Sequence, residues 1–468
     1  MTGLTVGDIA AATGGRLFGG DANAAVTGAV IDSRRAAPGV MFCALRGERV
    51  DGHSYIASAL SQGSPCVLAE RVPEGVDGGV IVVPDVTKAM AALARRCRDM
   101  FAGPVVGVVG SSGKTTTKEM CACVLAERFN TLRTEGNLNN ELGVPLTLFR
   151  IAPDTEAAVV ELGISDFGEM HRLGAMARPD IAVYTLIGRS HLNLLHDLDG
   201  VLKAKTELLD EMDEGALVIV NGDDQKLASL RPRQRLIKYG LGGGNDVRAE
   251  NVRLDGGVSF DVVRGERRFT VSVNAFGRQL ISAALAAACV GMELGLSDGQ
   301  IAAGVAKYAP VGRRTSVIRA GGVTIVDDCY NSNPDSAVLA VKSASDLPGR
   351  LVCILGDMLN LGPDSAKMHR EVGDAALSRG ALLPEPIEGS YTSSADGALT
   401  LVSNSGESFT FGAEDGGLVF DAGESARDLF LRGALEFERA EGSGGATVSV
   451  RYDNEIMCGF FEMPENVY

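Results

Sequence analysis

Hydrophobic and polar positions along the chain fall into blocks of different rhythm. Residues 5–17 read as a short helix, followed by brief apolar runs set off by Gly and Pro, such as "GVMFCAL" at 39–45 and "PCVLAE" at 65–70. This pattern predicts a small α/β domain over 1–103. From Pro104 the rhythm changes to alternating β and α units. "PVVGVVG" (104–110) reads as a buried strand and is followed by a helix from about Lys114; "AAVVEL" (157–162), "IAVYTLI" (181–187) and "GALVIVNGDD" (215–224) read as further strands. A parallel sheet flanked by helices buries such strands on both faces. A helix-rich stretch from Leu280 to Tyr308 ends this second domain, 104–310, near Pro310.

A third α/β region over 311–380 starts with the strands "VTIVDD" and "RLVCILGDM" and a helix over about 364–379. There the pattern stops. From 381 to 468 the chain is rich in Gly, Ser and Glu, and "LTLVSNSGESFTF" alternates about a turn-forming "NSGE" as a β-hairpin does. The tail reads as a separate β-rich module of unknown role. No repeat of fixed period is evident.

A chain of 468 residues is too long for one ordinary core, so several domains are expected. Hydrophobic residues make up 45% and charged residues 22%, and no apolar run approaches the roughly 20 residues that span a membrane. The start, "MTGLTVGDIAAATGGRL", has neither a basic lead nor a continuous apolar stretch, which predicts a cytoplasmic protein without a secretory signal. Nine scattered cysteines without a CxxC pair argue against a zinc site or a disulfide framework. The net charge of −16 argues against non-specific nucleic-acid binding, which depends on cationic side chains. Most of that charge is local: residues 381–468 carry 16 acidic residues against four arginines and no lysine, a balance of −12 that leaves −4 for the rest.

The most informative segment is "PVVGVVGSSGKTTTKEM", with an apolar strand directly before Gly110, Ser111, Ser112, Gly113, Lys114, Thr115 and Thr116, and a helix directly after the glycines. Glycines let backbone N–H groups close around phosphate oxygens; the lysine supplies a cation to the outer phosphates, and a threonine hydroxyl can hold magnesium. Position 108, where a strict GxxxxGK[ST] loop has its first glycine, is Val. Without its flanks, "GSSGKT" could be a Gly-rich turn capping a helix.

The shorter form GxxGK[ST] resembles the phosphate loop of the Mur ligase family. Other segments agree with that family in order. "TEGNLNNELGVPLTL" (134–148), "VVELGISDFGEM" (159–170), "HLNLL" (191–195) and "DGVLKAKTELL" (199–209) resemble the central domain of its D-alanyl-D-alanine-adding branch. "VIDSRRAAPGVMFCALRGERVDGH" (30–53) resembles the nucleotide-sugar-binding domain, and "VDDCYNSNPDS" with "LGDMLNLG" the C-terminal domain. The resemblance covers residues 1 to about 380. It implies a three-domain α/β architecture: a small N-terminal α/β domain, a central P-loop parallel-sheet ATPase domain and a Rossmann-like C-terminal domain, incomplete here. It also implies an ATP-dependent amide-forming ligase in peptidoglycan synthesis. ATP would phosphorylate the terminal carboxylate of UDP-N-acetylmuramoyl-tripeptide, and the amine of D-alanyl-D-alanine would attack the acyl phosphate. A monomer is expected.

The same resemblance implies residue roles. Lys114 would stabilise the transferring phosphoryl group and Thr115 would bind magnesium beside ATP. Glu161 and His191 would ligate a second magnesium, and Lys205 would be a carbamylated lysine that helps place it. Lys203 and Lys205 lie two apart on a helix, about 200° around it, so only one can face the site. Asn137 and Asn140 would meet substrate and nucleotide, and Ser33 and Arg34 the uridine diphosphate. Arg313, Asp328, Asn331 and Asn333 would close over the nucleotide and the acyl centre. Taken alone, several of these read more plainly. Lys205 in "KAKTEL" is a solvated cation, Glu161 a locally bonded strand-end carboxylate, His191 a structural histidine and Arg34 a surface charge; Asn-rich turns are common for local reasons.

The sequence departs from the family pattern twice. The adenine-framing segment, in the family GRHNVxNAxAA, reads "GRQLISAALAA" here, with Gln279 for His, Leu280 for Asn and Ala283 for the second Asn. One lost hydrogen bond costs about 0.5 to 1.5 kcal/mol, which weakens ATP affinity by roughly tenfold. After "HREVGDAALSRGA" the family's C-terminal pattern does not continue. Two readings follow: an active ligase, or a non-catalytic Mur-ligase-like protein that still binds nucleotide or UDP-sugar.

Overall fold

The computed structural model describes residues 1, 3–47, 50–254, 257–312, 314–320 and 323–381, and beyond these the backbone of strands between 389 and 460. The chain divides into two compact units, one of residues 1–274 and 279–308, the other of 275–278 and 309–468. The first joins the two N-terminal regions, which keep separate sheets.

In the N-terminal region, helix α1 (Val6–Thr13) opens with a capping box between Thr5 and Asp8. It is shorter than the sequence suggests, because Gly14 takes the left-handed conformation (φ 63°) and the chain turns into strand β1 (Arg16–Phe18). Strands β2 (Gly28–Val30), β3 (Val40–Cys43), β4 (Val67–Ala69) and β5 (Val80–Val82) form with β1 a sheet of order β1-β5-β4-β3-β2. It is parallel except where β1 meets β5. Helix α2 (Val86–Met100) buries Ala89, Met90, Leu93, Ala94 and Cys97 on one face. Arg98, near its end, donates to the carbonyls of Ala177 and Arg178 and pairs with Asp180 at 2.9 Å. That anchors the helix to the central region.

The central region carries β6 (Val105–Val109), helix α3 (Lys114–Leu125), β7 (Thr131–Arg133), β8 (Ala157–Glu161), β9 (Ile181–Tyr184), helix α4 (Leu198–Thr206) and β10 (Leu217–Asn221). After them come β11 (Arg235–Gly240), β12 (Val247–Arg253), β13 (Val258–Arg264), β14 (Arg267–Val273), helix α5 (Gln279–Glu293) and helix α6 (Asp298–Ala306). The strands form one nine-stranded sheet of order β14-β13-β12-β11-β10-β9-β6-β8-β7. It is parallel from β7 to β12 and antiparallel across β12-β13-β14. Strands β6, β8 and β9 are buried at every residue, as continuous apolar runs in a two-sided sheet require. Order reverses around β6, whose neighbours β8 and β9 both follow it in sequence. The C-terminal ends of these three strands therefore meet at a switch point, where open α/β sheets bind ligands.

In the second unit, β15 (Ser316–Ala320) pairs antiparallel with β16 (Val323–Asp327), and helix α7 (Pro334–Ala344), β17 (Arg350–Leu355) and helix α8 (Ser365–Leu377) follow. The tail segment Glu455–Phe460 runs parallel to both β16 and β17, between them. The strands Leu399–Ser403 and Ser408–Glu414 form the expected antiparallel hairpin; its turn residues, 404–407, lie outside the described residues.

Candidate active site

The loop between β6 and α3 is held open from beneath. Thr185, just after β9, donates through Oγ1 to the carbonyl of Ser112 at 2.6 Å. Ser111 donates from its N–H to Leu186 O at 2.8 Å, and its hydroxyl bonds both Gly188 N–H and Gly188 O at 3.0 Å. Gly113, with φ 78°, starts α3 without a side-chain cap, so the positive end of the helix dipole stands at the loop. A Cβ on Gly110 would lie 1.9 Å from Thr185 Oγ1. Gly110→Ala is therefore expected to destabilise the protein by about 1–3 kcal/mol through overpacking and to open the loop. A lower thermal midpoint together with lost nucleotide affinity checks it. Lys114 Nζ rests on Gly110 O at 2.9 Å, folded over its own loop, and Thr115 is buried in the first turn of α3.

Glu161 ends β8 with only 2% of its surface exposed. Its N–H donates to Thr134 Oγ1 at 3.0 Å and its Oε1 accepts from Asn139 Nδ2 at 2.8 Å. Its Oε2 is buried and, among the described residues, has no hydrogen-bond partner. A buried carboxylate oxygen left open is costly unless a ligand completes it, which fits a hard cation. No three His, Cys, Asp or Glu side chains gather into a metal cage among the described residues. Magnesium commonly uses one or two carboxylates plus waters and substrate phosphates. Asn139, which fixes Glu161, lies between the two asparagines singled out from sequence. Of those two, Asn140 Oδ1 accepts from Gly143 N–H at 2.9 Å in a local turn, and Asn137 is exposed.

In the segment that follows β9, directly before the short helix Leu192–Leu195, the backbone of His191 is left-handed (φ 53°), uncommon for a residue with a Cβ. Burial holds its ring down to about 4, helped by the cations of Lys205 and Lys114. Lys205 on α4 is 1% exposed, and its amine is held well below its ordinary range by burial and by Lys114, with Glu169 opposing. Lys203 is exposed on the other face, 5.8 Å from the Phe167 ring centre. Lys205 and Lys114 thus both oppose a charge on His191, and Lys114 opposes one on Lys205. The consequence for folding has a definite sign. The folded protein keeps His191 neutral to about pH 4, whereas the unfolded ring protonates near 6.5. Between these values the unfolded state binds the extra proton, so stability falls as pH drops from about 6.5 towards 4. His191→Gln is expected to remove this component of the slope, read as the difference from the unsubstituted protein in urea midpoints across the window.

Other sequence-derived residues sit more locally. Arg34 is 84% exposed at its side chain and pairs with Asp32 at 2.8 Å, and Ser33 opens the same short 3-10 turn. His53 of "DGH" is buried, donating through Nδ1 to Asp51 (2.7 Å) and accepting at Nε2 from Glu70 N–H (3.0 Å). In the second unit, Asp328 is pushed up to about 6 by burial, opposed by the Thr315 N–H and hydroxyl donated to its Oδ1. Asn331 is exposed; Asn333 caps α7, accepting from Ser336 N–H at 2.9 Å. Arg313 lies outside the described residues. Leu280 and Ala283 are buried in α5 and offer no side-chain hydrogen bond, and Gln279 is half-buried at its start. Sequence reasoning missed Lys118 and Glu119, both buried, although Lys118 stands one helical turn after Lys114, a spacing that places the two on one face.

Residues 25–98 match the Mur ligase family catalytic domain, 108–291 the Mur ligase middle domain and 313–384 the Mur ligase glutamate ligase domain. A UDP-N-acetylmuramoyl-tripeptide–D-alanyl-D-alanine ligase of Escherichia coli is 34% identical over 386 residues, 81% of this chain and 85% of that one. Its namesake from Bacillus subtilis is 34% identical over 373 residues, 78% and 80% of the two chains. A crystal structure of MurF from Acinetobacter baumannii superposes with a TM-score of 0.75 at 29% identity, covering 81% of this chain and 89% of that one. MurF ligase from Thermotoga maritima in complex with ADP gives 0.69 at 28% identity, covering 76% and 88%. With its phosphate loop, buried strand-end glutamate and three-domain α/β order, the chain belongs to the Mur ligase family.

Proposed function

We propose that the chain is an ATP-dependent ligase that joins D-alanyl-D-alanine to UDP-N-acetylmuramoyl-tripeptide in peptidoglycan precursor synthesis. The observation that carries this reading is the meeting, at one edge of a parallel sheet, of a phosphate loop with a buried carboxylate, one of whose oxygens has no hydrogen-bond partner among the described residues. The substrates are those named for the relatives in Escherichia coli and Bacillus subtilis.

ATP would lie on the 110–116 loop with its phosphates at the N-terminus of α3. Lys114 would leave Gly110 O and follow the γ-phosphoryl group as a carboxylate oxygen of the tripeptide attacks phosphorus and ADP departs. The amine of D-alanyl-D-alanine then attacks the acyl carbon, loses a proton, and inorganic phosphate leaves as the amide forms. Thr115, Glu161 and His191 are the residues that would hold magnesium, which supplies charge neutralisation to the phosphates. Lys205 would add through its neutral amine to carbon dioxide and release one proton, becoming a carbamate. That reaction turns a buried amine, whose protonation burial and Lys114 oppose, into an anion that Lys114 would favour. Ser33, Arg34 and Asn137 would serve the UDP-substrate, Asn140 the nucleotide, and Asp328, Asn331, Asn333 and Arg313 the closing domain. The described residues hold no helix long and apolar enough to cross a membrane; a cytoplasmic monomer is the working arrangement.

A second reading is favoured by buried Leu280 and Ala283 and by a C-terminal family match that ends at 384. It is a Mur-ligase-like protein that binds nucleotide or UDP-sugar without ligation. Phosphate release that requires both UDP-muramoyl tripeptide and D-alanyl-D-alanine supports the ligase; release at background with both present supports the second reading.

A further inference from the structure

Behind the open oxygen of Glu161 stands a cation that the proposed reaction does not use. Lys118 projects from α3 with 1% of its surface exposed. Its ammonium donates to Thr134 O at 2.8 Å, pairs with Glu119 Oε1 at 2.7 Å and stands 4.0 Å from Glu161 Oε2. Glu119 Oε2 in turn pairs with Arg133 Nε at 2.9 Å. The separation from Glu161 is close enough for strong attraction at low dielectric but too long for a hydrogen bond. Lys118 therefore balances the charge of Glu161 without occupying the oxygen that a cation would take. Glu119 draws the ammonium the other way, and the Thr134 carbonyl fixes its height.

We propose that Lys118 is a positioning residue acting as a tethered counter-cation, which suppresses divalent-metal binding at Glu161 until nucleotide phosphates arrive. In the nucleotide-free protein, a divalent ion approaching Oε2 meets the ammonium of Lys118. Phosphates bound on the loop add negative charge on the metal's open side and outweigh that repulsion. Metal and nucleotide then bind with positive coupling, each raising the affinity of the other by the same factor. The inference rests on Glu161 being a metal ligand, and its test separates the two claims.

Manganese is the probe, titrated into the full-length protein and followed by loss of the free-ion electron paramagnetic resonance signal, without and with a non-hydrolysable ATP analogue. Lys118→Gln is expected to tighten nucleotide-free manganese binding by roughly tenfold or more, on the scale of removing one cation about 4 Å away. It should also shrink the gain produced by the analogue. Glu119→Gln frees the ammonium towards Glu161 and removes an anion, so it should weaken nucleotide-free binding. A purely structural role would weaken binding in both variants, and that result, or unchanged affinity in Lys118→Gln, overturns the proposal. Glu161→Gln serves as the reference: if it removes the manganese site while Lys118→Gln changes nothing, the counter-cation role alone fails. If Glu161→Gln leaves manganese binding intact, the ligand assignment fails and the proposal with it.

Discussion

Replacing Lys114 by alanine is expected to lower the rate of ligation on the order of 10³-fold, with folding and UDP-substrate binding retained. The magnitude follows from removing one preorganised cation from a phosphoryl group whose charge develops in a water-poor site. In the ligand-free chain the Lys114 side chain is bound to Gly110 O, so truncation frees one backbone carbonyl at a partly exposed position and leaves no buried void. Steady-state kinetics with ATP varied, beside circular dichroism, checks it. A loss confined to the ATP KM would mean that Lys114 binds ground-state nucleotide and does little for transfer.

The second large effect is expected at Lys205. Lys205→Met, close in volume to the buried lysine, should cost on the order of 10²- to 10³-fold in turnover, because it deletes the group proposed to become an anion. Burial first, and Lys114 second, hold the Lys205 amine well below its ordinary range, which raises the share of neutral, nucleophilic amine open to carbon dioxide. Protein equilibrated with carbon-13 bicarbonate should show a carbamate resonance that disappears in Lys205→Met. A fully active Lys205→Met, with no labelled carbamate in the unsubstituted protein, would leave Lys205 as a neutral packing residue.

Much of this site was readable because its parts are local. The β6–loop–α3 unit is contiguous in sequence, so the strand, the glycines and Lys114 could be placed without knowing the fold. The period of a helix separates Lys203 from Lys205, and the structure leaves the first exposed and the second buried. What could not be read is what distant segments do to one another. Nothing in "NLNN" distinguishes Asn139, which bonds Glu161 across 22 positions, from its neighbours Asn137 and Asn140. Thr185 beneath the loop is likewise chosen by the pairing of β6 with β9. The antiparallel extension β12–β14 was missed for a different reason. "VSFDVVRGERRFTVSV" alternates about Gly265 (φ 57°) as a hairpin should, but it follows a parallel series that seemed to end at β10. Arg34 and Asn333 are also held locally, by an ion pair with Asp32 and as a helix cap, whatever they do when substrate is bound.

This edge of the sheet is expected to make an amide bond while ATP is converted to ADP and phosphate. The most direct test incubates the purified chain with ATP, magnesium, UDP-N-acetylmuramoyl-tripeptide and D-alanyl-D-alanine, and follows the UDP-linked products by mass spectrometry beside released phosphate. UDP-N-acetylmuramoyl-pentapeptide and phosphate are expected in equal amounts, both lost in Lys114→Ala. A folded protein that binds the UDP-substrate and yields neither would contradict it.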